Sequence, residues 1–96
     1  MNSSQFYVCD WSLLIYETKD IAALPGNHTG KAAIETAEKV KYWLERDLKS
    51  KVEYTQLNEP IFVLKKEEND KFWNVIVGEK IGWIIAEEWM ELKLLF

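Results

Sequence analysis

Ile61-Phe62-Val63-Leu64-Lys65-Lys66-Glu67-Glu68-Asn69-Asp70-Lys71-Phe72-Trp73-Asn74-Val75-Ile76-Val77-Gly78-Glu79-Lys80-Ile81-Gly82-Trp83-Ile84-Ile85 decides the fold. Short β-branched and aromatic runs are divided here by polar and glycine-containing turns, the signature of an antiparallel meander. Strands are expected over 61–66, 72–77 and 81–85. A polar turn over 67–71 joins the first two, and a tight turn at Gly78-Glu79-Lys80 joins the last two. Trp73, Val75 and Val77 fall on one face of the middle strand.

Working outward, Val52 to Gln56 reads as a short strand, and Leu57-Asn58-Glu59-Pro60 as a connector. Ala86 to Trp89 is expected to make one helical turn, and Glu91 to Phe96 a last strand. Upstream the period changes. Ala33, Ala37, Val40, Leu44 and Leu48 recur at helical spacing, with Trp43 flanking them, and predict a helix from about 29 to 50. Glu35/Lys39, Lys41/Glu45 and Glu45/Lys49 are i,i+4 pairs on its outer surface, and Thr29 or Asn27 is its expected N-cap. Pro25-Gly26-Asn27 marks a loop, and Lys19 to Leu24 a turn or short helix. Phe6 to Tyr16 alternates like one half-buried strand. Tyr7, Cys9, Trp11, Leu13 and Ile15 line one face, and Val8, Asp10, Ser12, Leu14 and Tyr16 the other. The class is α+β, and the helix stripe is expected to cover an open side of the sheet.

The order of these elements resembles the second half of SH3 domains, especially bacterial SH3-type domains. The matching residues are Ile61 to Leu64, Phe72 to Val75, Gly78 to Ile84 and Trp89-Met90-Glu91-Leu92, roughly residues 60–93. The resemblance implies an SH3-like bent antiparallel sheet or small barrel, with the helix at about 29–50 inserted after the first strand. It also implies a ligand groove lined by Phe72 and by Trp89 near the helical turn. Two features of eukaryotic SH3 domains are absent: the acidic, tyrosine-rich first loop, and a proline where Ile85 stands. Trp73 to Gly78 is also similar to a hairpin of dynein light chains, small adaptors that pair two helices with a sheet. Here one long helix is legible, and that family's Thr-His-Glu segment is missing.

With 96 residues, 48% hydrophobic and 29% charged, the chain fits a single folded domain over 1–96 with a thin core. Five Trp are many for this length. Each ring can bury roughly 150–250 Å², so some are expected on a binding surface. A net charge of −4 and a pI near 5.0 disfavour nucleic acid, which needs a basic patch. The single Cys9 permits neither an intramolecular disulfide nor a cysteine-rich zinc site, so a reducing, cytoplasmic setting is expected. The N-terminal residues lack the pattern of a signal peptide. No apolar run approaches the roughly 18 residues of a membrane span.

Catalytic sets are hard to assemble. Gly26 to Lys31 echoes a phosphate-binding loop, but Pro25 replaces the first Gly and Ala32 the metal-binding hydroxyl. A loop followed by a cap is the plainer reading. Cys9 and His28 could form a thiol–imidazole pair, though Cys9 lies on an apolar strand face. Asn27-His28-Thr29 is a glycosylation sequon in form. Glu67, Glu68 and Asp70, and Glu87 with Glu88, cluster without calcium-loop spacing. No cofactor and no catalysis are expected. The expected function is a protein-interaction module, an adaptor or regulator of a larger protein. Its binding residues would be Phe72, Trp83, Trp89, Glu87 and Glu88, and its partner a protein with a basic or proline-containing segment. The alternative is a small acidic inhibitor or immunity-type protein acting through Glu67, Glu68, Glu87 and Glu88. An edge strand ending at Phe96 could pair two copies into a homodimer.

Overall fold

The computed structural model describes residues 5–24, 31–86 and 92–94. In chain order these form β1 (Gln5–Val8), β2 (Ser12–Tyr16), α1 (Lys19–Ala22), β3 (Lys31–Ala32), α2 (Ile34–Leu48), β4 (Val52–Tyr54), β5 (Ile61–Glu67), β6 (Phe72–Val77), β7 (Lys80–Ile85) and β8 (Lys93–Leu94). The sheet runs β3-β2-β7-β6-β5-β1-β8, and β4 also pairs with β2. Every pairing is antiparallel. The molecule is thus a small α+β fold with one main helix.

The meander forms where the sequence places it, and its two turns have different solutions. Val77 and Lys80 flank a two-residue turn whose first residue, Gly78, has φ +60°, the glycine-first arrangement suited to tight hairpins. Between β5 and β6, Glu68, Asn69 and Asp70 all adopt positive φ. The turn is fastened by Lys71 N–H donating to the Glu67 carbonyl, and by the Trp73 indole N–H donating to the Asp70 carbonyl at 2.7 Å. A register shift between Val63 and Lys65 leaves Leu64 out of the ladder and 44% exposed.

Two expectations are corrected and one choice between alternatives is made. The strand expected over Phe6–Tyr16 is two strands: the chain bends at Asp10-Trp11, and the Cys9 carbonyl accepts the Asn58 N–H. Of the two forms expected, bent sheet or small barrel, the structure has the open sheet. Among the described residues, β2 meets β7 through one pair, Tyr16 with Trp83, and β8 pairs only with β1. The helix spans Ile34–Leu48, not 29–50. Ala33 caps it without a side-chain bond, because residues 31 and 32 are taken by the β2–β3 ladder.

The alternation in β2 accounts for the two cores. Leu13 and Ile15 join Cys9, Ile61, Trp73, Val75, Val77 and Ile84 in an inner cluster. Leu14 and Tyr16 point the other way and join Ala22, Ala37, Val52, Phe72 and Ile85, with Val40 and Leu44 of α2 packed over them. The helix therefore covers one side of the sheet, as its stripe requires. Leaving β2, the ladder to β4 continues one residue further through a side chain. Leu13 N–H donates to Thr55 Oγ1 at 2.9 Å, and the Ser12 hydroxyl donates to the Thr55 carbonyl.

Candidate binding surface

Phe72 lies in the cluster beneath α2 and is 6% exposed. Its ring is core, so it offers a partner almost no surface. Its position follows from register: Phe72 pairs with Ile85 and Glu67 at the end of the meander, where α1 and α2 close over the sheet. Trp83 is half-buried at the rim of the same cluster, with Lys65 Nζ 5.8 Å from its ring centre. Glu87, Glu88 and Trp89 lie outside the described residues, as does His28. The aromatic groove expected from Phe72 and Trp89 is therefore not assembled among the described residues.

Glu67 and Glu68 are not open acidic groups. Lys19 Nζ sits 2.7 Å from Glu67 and 3.2 Å from Glu68, and Lys65 Nζ 2.7 Å from Glu67. Hydrogen bonds from Lys19 and Lys65 hold the Glu67 carboxyl down at about 2. Cys9 is buried in the inner cluster. Lys31 belongs to β3 and pairs with Leu13, three residues before α2 begins, so it does not sit at a helix N-terminus as a phosphate loop would need. Among the described residues no group of His, Cys, Asp or Glu is placed to hold a metal ion, and no helix is long and apolar enough to cross a membrane.

The two most exposed aromatics among the described residues lie on α2. Tyr42 is 66% exposed and Trp43 52% exposed. Together with Glu35, Glu38 and Lys39 they line a shallow depression. The spacing i, i+3, i+4, i+7, i+8 puts all five on one helical face, opposite Ala37, Val40 and Leu44. Hydrogen bonds join the helix that carries this face to the sheet. Lys41 Nζ bonds Glu45 at 2.8 Å, and the same carboxylate accepts Val52 N–H at 3.0 Å, tying α2 to β4. Glu38 accepts the Tyr54 hydroxyl at 3.2 Å. Two rings beside two carboxylates form a surface suited to a cationic side chain, by ring-face attraction and by charge. In the sequence Trp43 is placed beside the apolar stripe and Glu35/Lys39 on the outer surface; Tyr42 and Glu38 were missed, although their spacing from Glu35 carries the signal.

A second concavity of about 300 Å³ opens between β2–β4 and the start of β7, at the low end for small-ligand sites. Ile15, Tyr16, Glu17, Lys51, Glu53, Glu79, Lys80 and Ile81 border it. The chain matches no protein-family model, no curated protein and no solved structure.

Proposed function

We propose that the chain is a non-catalytic protein-interaction module, an adaptor or regulator that holds a basic segment of another protein. The observation that carries this reading is the pair Tyr42 and Trp43, largely exposed beside Glu35 and Glu38 on a helix tied to the sheet. Large exposed aromatics cost solubility, and they are enriched where partners bind. The acidic balance of the whole chain points to the same class of partner.

The SH3-like reading is supported by five strands. The meander β5-β6-β7 is followed by a short last strand, β8, that returns beside β1. β2, β3, β4 and both helices enter together between β1 and β5. The inhibitor reading has less support, because Glu67 and Glu68 are already matched by Lys19 and Lys65.

The test is capture of partners from a cell extract by the tagged protein, with the Tyr42→Ala/Trp43→Ala variant alongside. Both residues are exposed, so the variant is expected to fold with unchanged thermal stability and to lose the captured partner. Equal capture by both proteins would remove α2 from the site.

A further inference from the structure

β7 has an edge that its neighbour leaves open. Val77 and Lys80 close a two-residue hairpin, so they exchange the first pair of hydrogen bonds across it. By alternation, Lys80 and Gly82 direct their backbone groups toward β6, while Ile81 and Trp83 direct theirs toward β2. β2 meets this edge only at Trp83, opposite Tyr16, and then leaves the sheet at Glu17 to enter α1. Among the described residues, the N–H and C=O of Ile81 therefore face the cleft without a ladder partner. The outer edge of β4 is different. Its Val52 N–H is taken by the Glu45 carboxylate, and its Tyr54 carbonyl by Lys80 Nζ at 3.1 Å.

The charges around this edge are unbalanced. Lys51 faces Glu53 at 3.4 Å, and Lys80 faces Glu59 at 3.3 Å. Among the described residues, Glu17 accepts the Ser50 hydroxyl and makes no ion pair, and Glu79 has no ion-pair partner. Ile81, 64% exposed, supplies an apolar contact on the same border. An open strand edge, an exposed Ile and two carboxylates without cations fit an extended basic segment.

We infer that the cleft between β2–β4 and β7 takes an extended, lysine- or arginine-containing segment of a partner protein as an added strand on the Ile81 edge, with its cations at Glu17 and Glu79. This rests on the reading of the chain as an interaction module, but it uses a surface separate from Tyr42 and Trp43.

The experiment is titration of isotope-labelled protein with a short peptide alternating lysine and valine, followed by backbone amide NMR shifts. Its glutamate–valine counterpart and a backbone N-methylated version of the lysine peptide serve as controls. The expected result is shifts at Glu17, Lys80, Ile81 and Gly82 with the lysine peptide alone. These should be lost in the Glu17→Gln/Glu79→Gln variant, whose changes are at exposed positions. Shifts confined to Tyr42 and Trp43 would overturn the added strand while leaving the module reading intact. Equal shifts from the N-methylated peptide would also overturn it, since such a peptide cannot pair with a strand edge. Shifts at Ile81 on concentrating the protein without peptide would place a second copy there and overturn it as well.

Discussion

Gly82 and Thr55 show how much of this fold turns on single groups. A Cβ at Gly82 would lie 2.7 Å from Ile15 Cγ2 and closer still to the Tyr16 carbonyl oxygen. That oxygen is backbone and cannot yield as a side chain would. Gly82→Ala should therefore force β2 away from β7 and destabilise the protein by about 1–3 kcal/mol, the range of overpacked cores, read as a lowered urea midpoint. In the sequence Gly82 is legible only as a glycine inside the strand expected over 81–85. The close approach of β2 that requires it is a long-range contact and left no local trace. Thr55 acts differently, since its hydroxyl accepts from Leu13 N–H inside the core. Thr55→Val keeps the shape and orphans that donor, so a cost of about 1–3 kcal/mol is expected. Thr55→Ser, which keeps the acceptor, should recover the larger part of it, and urea denaturation of the pair checks this.

β5, β6, β7 and the body of α2 were legible because their apolar periods are strong and local. The helix ends, the break between β1 and β2 and the burial of Phe72 were not. Each depends on what packs from elsewhere: β3 claims residues 31 and 32, Asn58 claims the Cys9 carbonyl, and α2 covers Phe72. The β5 bulge also reverses which residues face the helix, so that Glu67 rather than Lys66 stands opposite Phe72. The same reasoning separates two kinds of aromatic. Phe72→Ala should cost about 3–5 kcal/mol, as large-to-small changes in packed cores do. The exposed Tyr42→Ala and Trp43→Ala changes should each stay within about 0.5 kcal/mol. Thermal unfolding of the three variants distinguishes them. A large loss for Trp43→Ala would show that its ring packs against the fold and is not held out for a partner.

The fold as a whole is bracketed by carboxyl groups held low and a phenol held high, and its stability should form a plateau between them. Glu67 has its carboxyl lowered from an ordinary 4.5 to about 2, first by the hydrogen bond from Lys19 and then by that from Lys65. Glu45 is lowered in the same sense by Lys41 and by the Val52 N–H. A depressed folded value means that the unfolded chain takes up the proton first as pH falls. This contribution is complete above the ordinary value and is lost as pH drops from 4.5 toward 2. Tyr16 titrates at the other end. Burial between β2 and the helix pushes its hydroxyl from 10.0 up to about 12. The unfolded chain then releases the proton first, so stability is full below pH 10 and declines as pH rises toward 12, by roughly 2–3 kcal/mol for a displacement of this size. Urea midpoints measured across the pH range should show both declines. Their causes are separable by salt. The Glu67 pairs are partly solvent-exposed, so added salt should flatten the acid limb, as should Glu67→Gln. The alkaline limb comes from desolvation of a fully buried ring. Its Tyr16 part should persist in salt and be lost in Tyr16→Phe, leaving the contributions of Tyr54 and Lys19, which are raised in the same direction. An alkaline limb that vanished in high salt would instead assign it to interactions between surface charges.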